Sequence, residues 1–151
     1  MLPAGGQEGP HTGTVPAIGA AVALAVSLSS HLTGSAPVAM QLRMRYEMRC
    51  GWPGPRIDVV FPSAERLPAR VAHTAVLVDG RPAAAVTRSG HSLSISVARP
   101  TGVQCDVIAP GTVRVNLTRA VGLANPRRPG TYVISARHGA LSLRGSFTIR
   151  R

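Results

Sequence analysis

The stretch Leu42-Arg-Met-Arg-Tyr-Glu-Met-Arg-Cys50 alternates apolar and charged side chains without a break. Its apolar residues occupy the even positions 42 to 50, and its charged residues occupy positions 43, 45, 47 and 49. Successive side chains of a strand point to opposite faces, so this period of two is typical of a strand with one face in a core and one in water. A helix would scatter the same residues around its circumference. The stretch therefore predicts a β-strand at the surface of a domain.

Short alternating segments separated by Pro and Gly turns follow this strand. They cover residues 57–61, 74–78, 84–87, 93–97, 105–108, 113–117, 131–137 and 141–149. One turn is Asp79-Gly80, a dipeptide favoured in two-residue hairpins because both central residues take positive φ. About eight strands at near-regular spacing, with no convincing helix after residue 40, predict an all-β domain. We expect a Greek-key β-sandwich, with a small barrel as the alternative.

Residues 1–40 differ in composition from the rest of the chain. They carry one formal charge, Glu8, whereas all seventeen arginines lie between Arg43 and Arg151. The apolar run 17–28 is shorter than the roughly 20 residues of a membrane span, but it matches the 7–15 residues of a signal-peptide apolar region. We therefore predict a leader over residues 1–40 and a β-sandwich over 41–151. Small residues at 34–39 predict cleavage, so that the mature chain would begin between residues 34 and 42.

This organisation predicts a secreted or cell-envelope protein. An uncleaved membrane anchor and a misplaced start codon are the alternatives for the apolar run. Cys50 and Cys105 fit no C-x-x-C metal or redox pattern. Outside the cytoplasm such a pair usually forms a disulfide, whereas inside it would stay as two thiols. Export therefore predicts a Cys50–Cys105 disulfide.

The charge of the chain after residue 40 is strongly positive. Seventeen arginines stand against five carboxylates, which makes a net charge of +12. Such a field attracts anionic polymers or membrane surfaces. The candidate anion-binding residues lie on predicted strands or just after them: Arg43, Arg45, Arg49, Arg114, Arg144 and Arg150. The alternative is a solvated surface whose arginine content reflects a GC-rich genome.

The stretch Gly122-Leu-Ala-Asn-Pro-Arg-Arg-Pro-Gly-Thr-Tyr132 resembles a turn-to-strand segment, roughly N-P-x-x-x-G-T-Y. That segment is found in immunoglobulin-like β-sandwich domains of bacterial secreted and cell-surface proteins. The resemblance implies an immunoglobulin-like fold and a structural or adhesive role. Independently of it, Asn-Pro and Pro-Gly favour tight turns. We predict that Tyr132 is structural, with a buried ring and a hydroxyl bonded to nearby backbone as in a tyrosine corner.

Motifs for chemistry are missing from the sequence. There is no G-x-S-x-G elbow, H-E-x-x-H motif or phosphate-binding glycine loop. His73, His91 and His138 lack metal-ligand spacing, so we predict no catalytic residue, no metal site and no cofactor.

The best interpretation is a non-catalytic exported binding or structural module of the bacterial cell envelope. Its expected partner is an anionic envelope polymer or a membrane surface. Two alternatives remain, a basic nucleic-acid-binding protein and a small periplasmic-type metal carrier built on a β-sandwich.

Overall fold

The computed structural model describes residues 24–46, 56–97, 111–139 and 141–151, and it shows two five-stranded antiparallel sheets there. The strands are β1 (Ala25–Leu28), β2 (Met40–Tyr46), β3 (Arg56–Val60), β4 (Val76–Val78), β5 (Arg81–Pro82), β6 (Ala85–Ser89), β7 (Ser92–Ser96), β8 (Gly111–Leu117), β9 (Gly130–His138) and β10 (Leu141–Ile149). The predicted all-β class is confirmed, although the described residues hold ten strands where about eight were expected.

The order of strands defines two layers. Sheet I has the order β1-β2-β8-β4-β5, and sheet II has the order β10-β9-β3-β7-β6. The chain therefore crosses between the layers several times, for example from β2 in sheet I to β3 in sheet II. The inner faces of the two sheets share one hydrophobic core. This arrangement is a β-sandwich.

The core is built by the period-two pattern of the strands. Leu42 and Met44 of β2 are buried, whereas Arg43 and Arg45 are exposed. This alternation confirms the predicted faces of β2 over its described side chains. The buried set is mainly aliphatic, and each such side chain is worth about 1.5–3 kcal/mol when fully buried.

The sandwich starts earlier than the sequence predicted. Leu24 is buried in the core, and its N–H donates to the carbonyl oxygen of Arg144 on β10 at 3.1 Å. After it, β1 pairs antiparallel with β2 from Ala25↔Arg43 to Leu28↔Met40. The domain boundary predicted at residue 41 is therefore too late, because part of the supposed leader is an edge strand. Its exposed positions, Ala25 and Ser27, are small and uncharged, so the sequence hides the alternation.

The segment after β1 connects the edge of sheet I, formed by β1, to the edge of sheet II, formed by β10. The N–H of Arg150 donates to the carbonyl oxygen of His31, and the N–H of Thr33 donates to that of Arg150. These bonds surround a parallel bridge between Leu32 and Arg150. The edge of β10 is thus covered by chain from the N-terminal side.

Helical structure within the described ranges is limited to 3₁₀ turns at His73–Ala75 and Arg119–Val121. No helix of the described residues is long and apolar enough to cross a membrane.

Candidate anion-binding face

Three of the predicted arginines lie together on the outer face of sheet I. Arg43 of β2 is directly opposite Arg114 of β8, and Arg45 is opposite Thr112. All three arginines are exposed. Cβ atoms of directly opposite residues are about 4.5–5.5 Å apart, and like charges in such a pair repel each other. Arg43 and Arg114 therefore put two like charges next to each other on this face.

A groove of about 510 Å³ runs over this pair. The Asp79-Gly80 turn forms one of its walls. Both turn residues have positive φ, 49° and 82°, which confirms the hairpin turn predicted there. Asp79 Oδ1 accepts the backbone N–H of Arg114 at 2.9 Å, and the N–H of Asp79 donates to the carbonyl oxygen of Arg114 at 2.8 Å. The turn is thereby fixed to β8 beside the two guanidinium groups.

A second groove of about 560 Å³ adjoins the first on sheet I. Both grooves are lined by Gln41 and Asn116, which are opposite each other on β2 and β8. The second groove continues past Leu77 toward Thr118 and Arg119. The outer face of sheet I therefore carries a polar, cationic groove and a neighbouring groove with an apolar lining.

The other predicted arginines do not join this face. Arg144 lies on β10 of sheet II, opposite Ser135 of β9, and Arg150 follows the end of β10. Arg49 lies outside the described residues, as do Cys50 and Cys105, so the predicted disulfide stays a prediction. The six candidate arginines thus divide into three on sheet I, one on sheet II, one just after β10 and one that is not described.

Tyr132 stands where the Asn-Pro turn region enters β9. Its hydroxyl donates to the backbone carbonyl oxygen of Arg128 at 2.6 Å. Its half-buried ring packs on the core and stacks with Phe147, with ring centroids 5.8 Å apart and an interplanar angle of 27°. These contacts connect the turn to the core.

We expect Tyr132→Ala to lower the free energy of unfolding by about 3 kcal/mol, because it removes both the ring packing and the hydroxyl bond. Tyr132→Phe should cost about 1 kcal/mol, since only the hydrogen bond is lost. Chemical denaturation of the three proteins measures both effects. Equal stability of wild type and the alanine variant would show that the ring adds nothing to the core.

Two buried polar side chains, Glu65 and Asn125, have no sequence pattern that predicts their burial. Glu65 and Asn125 are fully buried, and neither the Glu65 carboxylate oxygens nor Asn125 Oδ1 has a hydrogen-bond partner in the described part of the chain. Burial raises the pKa of Glu65 from 4.5 to about 7. An antiparallel bridge joins Arg66 and Ala124, which puts Glu65 across from Asn125 in register.

Asn125 uses its two amide hydrogens on the chain that follows β1. Its Nδ2 donates to the carbonyl oxygens of Ser30 at 2.9 Å and Leu32 at 3.0 Å. The sequence offered only the Asn125-Pro126 turn signal for this residue. It offered nothing for Glu65, which lies in a stretch without clear periodicity.

The described histidines are not gathered into one place. His31 bonds the carbonyl oxygen of Thr148, His73 that of Ala83, and the buried His138 that of Arg56. Over the described ranges there is no group of three or more His, Cys, Asp or Glu side chains that could hold a metal ion.

Comparison with known proteins yields a likeness of fold. No protein-family model and no curated protein matches the chain. Among solved structures, the chain is similar to the crystal structure of BslA, a bacterial hydrophobin, with a TM-score of 0.54 and 16% sequence identity. The match covers 85% of this chain and 97% of that one. At this identity the likeness concerns the fold alone, and it agrees with the β-sandwich described above.

Proposed function

We propose that this chain is a non-catalytic module of the bacterial cell envelope that binds phosphate or carboxylate groups of an acidic partner. The binding surface is the exposed face of sheet I that carries Arg43, Arg45 and Arg114. The observation that carries this proposal is the register of β2 and β8, which sets Arg43 directly opposite Arg114 in a groove.

The architecture of the module is proposed to be immunoglobulin-like. Seven-stranded immunoglobulin domains have the sheet orders A-B-E-D and C-F-G. The orders β1-β2-β8-β4 and β3-β9-β10 agree with that scheme if β5, β6 and β7 are an insertion between strands D and E. Fold analogy does not assign a ligand, so the proposed binding rests on the arginines.

Guanidinium groups suit such a ligand because they bind phosphate and carboxylate through paired hydrogen bonds. An anion between Arg43 and Arg114 would reduce the repulsion between these like charges, although the Asp79 carboxylate lines the same groove and already offsets part of it. The groups are exposed, and salt screens such charges beyond about 8 Å at physiological ionic strength. We therefore expect modest affinity that falls steeply as salt rises.

Export and a structural role have separate support. The uncharged, apolar run 17–28 has the composition of a signal segment, although its last residues, Leu24–Leu28, belong to the sandwich. The likeness of fold to a bacterial hydrophobin is compatible with a structural or binding role.

We expect Arg43→Gln/Arg45→Gln/Arg114→Gln to weaken binding of polyphosphate about tenfold, since exposed ion pairs contribute about 0.2–1 kcal/mol each. Binding to vesicles that contain phosphatidylglycerol is measured in parallel. Comparison of the two affinities shows whether the anionic partner is a membrane surface or a soluble polymer. The measurement is titration at low and at physiological salt.

The matched control is Arg66→Gln/Arg70→Gln/Arg127→Gln, which removes the same charge from exposed positions outside the groove. It should weaken binding by no more than about two- to threefold. Equal losses in both triple variants would mean that net charge alone attracts anions and that sheet I holds no site. Tighter binding of duplex DNA than of polyphosphate would favour the nucleic-acid alternative.

A further inference from the structure

The two grooves on sheet I lie side by side along β8. Arg114 lines the cationic groove, Asn116 lines both, and Thr118 lines the apolar one. Four residues of extended strand separate Arg114 from Thr118, a distance of about 14 Å. A molecule with its charged end at Arg114 could therefore extend along β8 into the apolar groove.

The apolar groove has one large side chain that the core does not use. Val76 and Val78 of β4 are buried, so the side chain of Leu77 between them points to the outer face, where it is half-buried. Its neighbour in the sheet is Asn116, directly opposite on β8. Leu77 thus gives an apolar contact on the same outer face as Arg43 and Arg114.

We infer that the ligand of this face is an anionic amphiphile, a lipid-like molecule whose head binds between Arg43 and Arg114 and whose tail lies over Leu77. This inference rests on the proposed function, because it uses the same two arginines. Charge complementarity selects an anionic head, and apolar area removed from water stabilises the tail by about 25 cal/mol per Å². A uniformly polar polymer would satisfy the arginines but leave the second groove unused.

The test compares three small probes on the full chain by titration. They are dodecyl phosphate below its micelle concentration, inorganic phosphate with the head alone, and dodecyl maltoside with the tail alone. We expect dodecyl phosphate to bind at least about tenfold more tightly than inorganic phosphate, as removal of two methylene groups from water already gives this factor. Dodecyl maltoside has the same tail without the charge, and it should bind up to about tenfold more weakly because the two arginine contacts are lost. Equal affinity of dodecyl phosphate and inorganic phosphate, or of the two dodecyl compounds, would overturn the inference.

Two variants, Leu77→Thr and Arg43→Gln, test the tail and head parts of the site, and Leu32→Thr is the control. Leu77→Thr keeps a residue suited to strands, and we expect it to weaken dodecyl phosphate about threefold or more without changing polyphosphate binding. Leu32→Thr makes the same change at an exposed leucine outside both grooves and should leave the affinity unchanged. Arg43→Gln should weaken both dodecyl phosphate and polyphosphate.

The outcomes separate the inference from the proposed function. Polyphosphate binding that depends on Arg43 and Arg114, together with no gain from the dodecyl tail, would overturn the amphiphile and leave the proposed function standing. Failure of both probes at low salt would remove the proposed function as well. Equal effects of Leu77→Thr and Leu32→Thr on dodecyl phosphate would also contradict the inference.

Discussion

A chain that begins at Gln41 is expected to fail to fold, whereas a chain that begins at Leu24 is expected to fold like the full protein. The shorter chain lacks three buried side chains, Leu24, Val38 and Met40. At about 2 kcal/mol for each, their burial contributes on the order of 6 kcal/mol, close to the whole stability of a small domain. It also lacks β1, so the edge of β2 loses its partner.

Circular dichroism and urea denaturation of the two chains, each with an initiating Met, measure this effect. A cooperative transition of equal midpoint in both chains would show that residues 24–40 add nothing to the sandwich. The result also limits where a signal peptide could be cleaved. Cleavage between residues 34 and 42 would remove β1, and a protein cut there should not fold. Export with an intact sandwich therefore requires cleavage at or before Leu24, because Leu24 is buried and β1 pairs with β2. N-terminal sequencing of exported protein checks the position.

A substitution at Gly145 on β10 tests the contact between this strand and Leu24. A Cβ at Gly145 would overlap the backbone carbonyl oxygen of Leu24, and backbone cannot yield as a flexible side chain does. We expect Gly145→Ala to lower the free energy of unfolding by about 1–3 kcal/mol, as overpacking does. Ser146→Ala, at the exposed neighbouring position, is the control and should have little effect.

The contribution of Glu65 to the stability of the wild type is expected to fall by about 3 kcal/mol as the pH rises from about 4.5 to about 7. Burial raises the pKa of Glu65 from 4.5 to about 7, so the folded state holds a proton in this range that the unfolded state has lost. The stabilising contribution is complete below pH 4.5 and is lost as the pH passes the folded pKa.

Glu65→Gln should remove this dependence, because glutamine stays neutral and keeps the shape of the acid. We expect the variant to be more stable than the wild type at pH 8 and similar to it at pH 4.5. Urea denaturation across this range gives the difference between the two proteins, which cancels the contributions common to both. Asp58→Asn removes a carboxylate that pairs with Arg56 at the surface and is the control. Lower stability of Glu65→Gln than of wild type at pH 8 would show that the carboxylate anion has a partner.

Local pattern was enough for the parts of the fold that depend on neighbours in the chain. The alternation around Arg43 and Arg45 predicts which side of β2 faces water, since a strand allows only two orientations. Asp79-Gly80 predicts its turn because positive φ is a property of those two residues. The turn before Tyr132 likewise places the tyrosine within reach of the backbone four residues earlier.

Other features depend on contacts between distant segments, which no local pattern encodes. The sequence of β8 does not reveal that β2 is its neighbour, so only the sheet register brings Arg114 opposite Arg43. Leu24–Leu28 has the composition of a signal segment, and only its pairing with β2 makes it a strand.

What the sequence by itself determined was the all-β class, the faces of the clear strands and the excess of positive charge. The tertiary structure decided where the domain begins, which arginines share a groove and that Glu65 is buried. The physical reason is that side-chain direction within a strand is a local property, whereas strand order and burial follow from the packing of two whole sheets.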